Sequence, residues 1–158
     1  MTTTTTTRRR TKKEEKARDL LIAMFWSFSA NRGFLNESER LLQISEGLPS
    51  QLFQALCANF ALQESSLEML FNISTSTLKR HRRQQKPLDP VASGRLDRIA
   101  AVCHLAEEVC DSRQAATDWM SKPNQALGGS KPIMLCKTER GAVQVSRVLQ
   151  VIKWGGVV

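Results

Sequence analysis

What the chain lacks narrows its function first. It has only two histidines, His81 and His104, and neither falls in a pattern with a Ser, Cys or Asp partner. No Gly-rich loop cradles a phosphate: Gly128-Gly129 follows no expected strand and opens no P-loop. Glu107 and Glu108 are neighbours on an expected helix, so their carboxylates diverge instead of converging. These absences make an enzyme the least supported class and leave no catalytic residue to name. Cysteine is sparse too, at 57, 103, 110 and 136, with no CxxC pair. Packed, reduced thiols are expected, and a zinc site using them with His104 lacks the usual ligand spacing. The longest apolar run, residues 20–26, is far too short to span a bilayer, and no secretory signal is visible. The expectation is a cytoplasmic protein with no membrane partner.

Acidic charge is short in two places. Residues 1–18 hold seven Lys/Arg against two Glu, and residues 79–86 hold five Lys/Arg with no acid. The rest of the chain carries eleven bases against thirteen acids, so the net +8 sits in a tail and one short segment. Charge gathered this way attracts polyanions with salt-dependent affinity. The first eleven residues, with six threonines before Arg8, Arg9 and Arg10, predict a disordered basic tail over 1–18. Such a tail either lies on DNA phosphates or is simply solvated.

The second basic segment belongs to residues 65–83, SSLEMLFNISTSTLKRHRR. This reads as two short helices around a tight turn. Ser65 and Glu68 are spaced as a capping box for the first helix, whose Leu67, Leu70 and Phe71 share a face. Asn72 suits a left-handed turn, Ile73 plugs the core, and Ser74 or Thr75 caps the second helix over 76–83. That helix has Leu78 behind and Thr75, Ser76, Lys79, Arg80, Arg82 and Arg83 in front. A helix-turn-helix would place such a front in the major groove, with Thr75, Ser76, Lys79, Arg80 and Arg83 as the DNA-binding candidates. An ordinary helical hairpin with a solvated basic face is the alternative.

Elsewhere the pattern is helical throughout. Residues 14–30 form a helix with an apolar centre, for the core or for a second copy of the chain. Asn36 with Glu39 makes a capping box for a short helix closed by Gly47 and Pro49. Ser50 caps a helix carrying Leu52, Phe53, Leu56 and Phe60. Residues 86–90, Lys-Pro-Leu-Asp-Pro, form a bent connector. A long amphipathic helix is predicted over 93–111, then one capped by Ser112, a shaped loop, an apolar segment over 133–136 that reads as extended, and a last helix capped by Thr138. The fold class is all-α. The domains are expected at 19–90, containing the helix-turn-helix, and 91–158.

The order Trp119, Pro123-Asn124, Leu127, Gly128, Pro132, Leu135, Thr138, Gly141, an aliphatic helix and Trp154-Gly155 resembles the toxin-binding C-terminal domain of Xre/MbcA/ParS-type antitoxins. The helix-turn-helix and connector are similar to that family as well. The resemblance implies an antitoxin whose C-terminal domain and tail cover the active-site entrance of a RES-domain, NAD-consuming toxin encoded alongside. It also implies a homodimer that represses its own promoter through operator DNA. Arg147, Lys153, Trp154, Gly155, Gly156, Val157 and Val158 are then the toxin-binding candidates. Trp154 is large enough to anchor an interface, and Gly155 and Gly156 let backbone approach a partner. The resemblance brings no cofactor and no metal. The alternative is a helix-turn-helix regulator whose C-terminal half serves only dimerisation or another partner.

Overall fold

A computed structural model of the chain describes residues 3–156, with side chains from Thr11 onward. Nine α-helices and one 3₁₀ turn make up the described residues, with no strand among them.

The first helix, α1 (Thr3–Arg32), is built around residues 20–26. Phe25 and Trp26 are almost wholly buried. Full burial of one large apolar side chain is worth about 1.5–3 kcal/mol. Their rings meet edge to face at 5.4 Å, and Phe25 meets Phe60 the same way at 5.6 Å. The Trp26 indole N–H donates to Asn59 Oδ1 at 2.8 Å, which satisfies its one polar atom inside the core. The disordered tail expected over 1–18 is not what the backbone shows, since α1 is helical from Thr3. The packed half supplies the nucleus, and adding polar turns to an existing helix needs no second one.

Helix α2 (Glu37–Glu46) opens with the predicted capping box, Asn36 accepting from the Glu39 N–H and Glu39 from the Asn36 N–H. Helix α3 (Gln51–Phe60) buries Leu52, Phe53, Leu56 and Phe60 as the spacing predicts. The Ser50 cap is not formed: Ser50 has helical angles and its side chain makes no capping bond. Helices α4 (Glu64–Phe71) and α5 (Thr75–Gln84) follow, and the connector leads into α6 (Pro90–Cys110). Asp89 caps α6, accepting from the Ala92 N–H at 2.8 Å, and Pro90 takes the first turn where no N–H is needed. The helix therefore begins three positions before the Ser93 start that periodicity suggests.

Helix α6 is the spine. It buries Leu96, Ile99, Ala100, Val102, Cys103 and Ala106, and packs against α1, α2 and α4. It also packs against α7 (Arg113–Ser121) and α9 (Glu139–Lys153). One apolar cluster runs from Phe25 to Leu149. The boundary expected at 90/91 falls at the start of this spine, and both halves share its core.

The expected extended segment over 133–136 is instead a one-turn helix, α8 (Pro132–Leu135). Pro132 and Ile133 are buried in it, and Pro132 at its start fits a helix better than a strand interior. Thr138 then caps α9 as predicted, accepting from the Gly141 N–H at 3.0 Å.

Candidate DNA-reading and partner-binding faces

The turn between α4 and α5 has the geometry that the residues imply. Asn72 is left-handed at φ 54°, and Ser74 accepts from the Thr77 N–H at the start of α5. Ile73 and Leu78 pack against the core from behind, while no residue of α5 is buried. Arg95 on α6 donates to the Leu70 carbonyl at 3.1 Å, which ties the end of α4 to the spine.

The capping box expected between Ser65 and Glu68 is absent. Helix α4 begins two residues earlier, with Gln63 as its cap residue and no side-chain bond. Glu68 instead reaches across the turn and accepts from both the Thr75 N–H, at 2.6 Å, and the Thr75 hydroxyl. Those bonds hold its carboxyl below the usual carboxylate range. Sequence reasoning missed this role because the partner lies seven positions away across a turn. A carboxylate fits here because it meets the positive end of α5.

Of the DNA-binding candidates, Ser76, Lys79, Arg80 and Arg83 are not buried on α5, and Thr75 is half-buried. Lys79 Nζ lies 3.8 Å from Glu64 Oε1 on an exposed surface, an ion pair worth little in water. Arg80 and Arg83 form no ion pair with any described residue. The outer side of α5 is therefore a cationic surface whose first residue is anchored by Glu68 of α4.

The carboxyl end of α9 is the second site. Val145 and Leu149 are buried and fix the helix to the core. Arg147 lies beside Val143 and Gln150 along a groove between α9, α6 and α2. Lys153 Nζ lies 3.6 Å from Glu108 Oε2 on α6. Glu108 also faces His104 Nε2 at 3.6 Å. The carboxylates of Glu107 and Glu108 diverge, as their adjacency on one helix predicts. In the fold Glu107 pairs with Arg113 at 3.1 Å, and Glu108 makes a half-exposed pair with Lys153 that adds little to the hold on α9.

The helix ends in a defined turn. Gly155 N–H donates to the Ile152 carbonyl at 3.0 Å and Gly156 N–H to Val151 at 2.8 Å, with Gly155 left-handed at φ 78°. This is the double bond pattern of a Schellman stop, which asks for glycine at the left-handed position. Gly155 thus ends the helix, a role that spacing alone did not assign. Trp154 stands just before the stop with 83% of its surface exposed, so it does not pack on its own domain. Val157 and Val158 lie outside the described residues.

A family model described as the antitoxin Xre-like helix-turn-helix domain matches residues 39–101. A second, the antitoxin Xre/MbcA/ParS C-terminal toxin-binding domain, matches residues 105–155. The chain belongs to the Xre/MbcA/ParS antitoxin family. It is an Xre-family antitoxin with a helix-turn-helix and a toxin-binding domain, and the two matches meet within α6.

Among curated relatives, the antitoxin is 34% identical to "Antitoxin Xre" of Pseudomonas putida KT2440 over 83 residues, 52% of each chain. The match thus spans about half the length of that relative. It is 25% identical over 126 residues to the "Prs ADP-ribosylating antitoxin" of Sphingobium sp. YBL2, 74% of this chain and 79% of that one. A 59-residue stretch is 44% identical to the 6-hydroxy-3-succinoylpyridine 3-monooxygenase HspA of Pseudomonas putida S16. That stretch is 37% of the antitoxin and only 18% of the monooxygenase. Among the described residues no helix is long and apolar enough to cross a membrane, and no His, Cys, Asp and Glu group is gathered to hold a metal.

Proposed function

We propose that this antitoxin neutralises a RES-domain toxin encoded beside it, by setting the end of α9 and its tail into the toxin's active-site entrance. The observation that carries this reading is Trp154: 83% exposed, yet aimed by a helix that is capped, buried along one side and closed by a defined turn. An exposed aromatic on a fixed backbone is what an interface anchor requires, because little freedom is lost on binding. Arg147 and Lys153 add positive charge beside it, suited to a site that handles a nucleotide. Lys153 must give up Glu108, or share it, to make that interaction. The Sphingobium relative is named for ADP-ribosylation, and we carry that chemistry to the toxin as an NAD-consuming activity.

The antitoxin acts in the cytoplasm as a homodimer and represses its own promoter through α5. Ser76, Lys79, Arg80 and Arg83 face the operator. Thr75 contributes through its hydroxyl lone pairs, since its hydroxyl proton is given to Glu68.

Deleting residues 154–158 tests the toxin arm directly. Protection of cells expressing the toxin should be abolished while helix content, dimer mass and promoter binding stay as in the full chain. Trp154→Ala alone should weaken the complex by roughly 30-fold, the scale of an interface hot spot. Unchanged protection in the deletion variant would remove tail occlusion from the account. Replacing Lys79 and Arg80 tests the DNA arm, at roughly 1–3 kcal/mol for each base-reading side chain removed.

A further inference from the structure

The first half of α1 stands apart from the other helices in its exposure. Every residue from 11 to 20 is exposed, a run that no other helix matches. At 100° per residue, Lys12, Lys13 and Lys16 share one face. Leu20, Ala23 and Ser27 continue that face toward the body, and all three are exposed. The opposite face carries the buried Phe25, Trp26, Ser29 and Arg32. The lysine face therefore points away from the core. Glu14, Glu15 and Arg18 fall on the core-side face. Asp19 borders the lysine face at its body end, so the face carries three lysines against one carboxylate, with both glutamates turned away.

The direction of the arm follows from its root. Phe25 and Trp26 meet Phe60 and Asn59 at the end of α3, while Phe28 and Asn31 share a groove with Pro49 and Leu52 at its beginning. The two helices run antiparallel, so residues before 21 leave the body past the Phe60 end of α3. From Phe60 the chain passes through residues 61–63 to Glu64, which faces Lys79 on α5. The arm thus departs from the end of the molecule where the basic surface of α5 begins.

We propose that this arm is a sequence-independent DNA-backbone contact, with the Lys12, Lys13 and Lys16 face lying on phosphates that flank the site read by α5. The flanking position rests on the helix-turn-helix reading above; the phosphate contact itself does not. A membrane surface would ask for a broad apolar face opposite the lysines. That side of the arm holds two glutamates instead. A polar, exposed helix is marginal alone, and phosphates that neutralise the stripe stabilise it.

The test uses the full chain and a duplex of random sequence, with affinity followed by anisotropy from about 50 to 200 mM salt. The variant carries K12Q, K13Q and K16Q, with far-UV circular dichroism to show that the body is folded. The slope of log K against log salt should fall by about 0.9 for each lysine engaged, up to about 2.7 in all. R18Q removes one charge from the other face and should change the slope less than K16Q does. An unchanged slope in the triple variant, or an equal effect of R18Q and K16Q, overturns the proposal. So does a variant that keeps its duplex binding but no longer binds phosphatidylserine vesicles. K79Q/R80Q separates the two readings. If that pair leaves promoter preference intact while the arm variant has a reduced slope, α5 is not the reader and the arm still stands.

Discussion

Glu68 on α4 accepts from both the backbone N–H and the hydroxyl of Thr75, the first residue of α5. One carboxylate thus fixes where the basic helix begins. Its pKa is lowered by these bonds. A lowered folded value means that the contribution to stability is fully present above the ordinary carboxylate range and fades as pH falls through the lowered value. Glu68→Ala should therefore melt below the wild type at neutral pH, with the gap closing as pH falls below the ordinary carboxylate range. Thermal melts of both proteins across that range check it. A gap that stays constant with pH would mean that the carboxylate charge is not what anchors the helix.

Why local spacing misplaces Glu68 is instructive. Ser65 and Glu68 have capping-box spacing, and so do Asn36 and Glu39, but only the second pair forms the box. The local signal is the same in both. At Glu68 a competing donor, the helix end at Thr75, lies across the turn, and spacing along one helix does not reveal it. Caps with no competitor were legible: Ser74, Ser112 and Thr138 all accept from the N–H three positions on. The left-handed Asn72 was legible as well. The contact between Glu108 and Lys153 was not, because it joins helices 45 positions apart.

Asp97 is a third long-range case, and it predicts a large effect. Its carboxylate, 7% exposed, meets Arg32 at 3.2 Å and Arg40 at 2.6 Å, so three helices converge on one charge. The Arg40 guanidinium is held in its charged form by the hydrogen bond to Asp97, with burial opposing. Removing one partner of a buried ion pair strands the other, at a cost of about 3–5 kcal/mol. Asp97→Ala should lower the urea midpoint by that equivalent, since the Arg32 side chain is 2% exposed and has little water to turn to. A change within experimental error would show that Arg32 and Arg40 relax outward together.

Gly141 is a helix position where glycine is ordinarily a weakness. Here an added Cβ would overlap the Leu135 carbonyl, which crosses beside the first turn of α9. Gly141→Ala gains about 1 kcal/mol in helix propensity. It must also push α8 and α9 apart, and overpacking of this kind typically costs about 1–3 kcal/mol. The net expectation is lower stability and weaker toxin binding together, because α9 carries Trp154. Urea unfolding and toxin affinity of the variant decide it. A stabilised protein would mean that α8 moves freely.

The four thiols separate by burial. Cys103 and Cys136 are fully buried, and burial pushes both thiols up, Cys136 to about 12. Cys57 and Cys110 are half-buried and are raised for the same reason. Alkylation proceeds through the thiolate, and at about pH 8 a thiol of pKa about 12 is ionised in about one molecule in ten thousand. Iodoacetamide should therefore leave Cys103 and Cys136 unlabelled in the native protein, and label Cys57 and Cys110 slowly. All four should react once urea unfolds the chain. Mass spectrometry of labelled peptides gives the order directly. Fast labelling of Cys136 under native conditions would show that α8 opens from the core, and would weaken the claim that the base of α9 is rigid enough to aim its end.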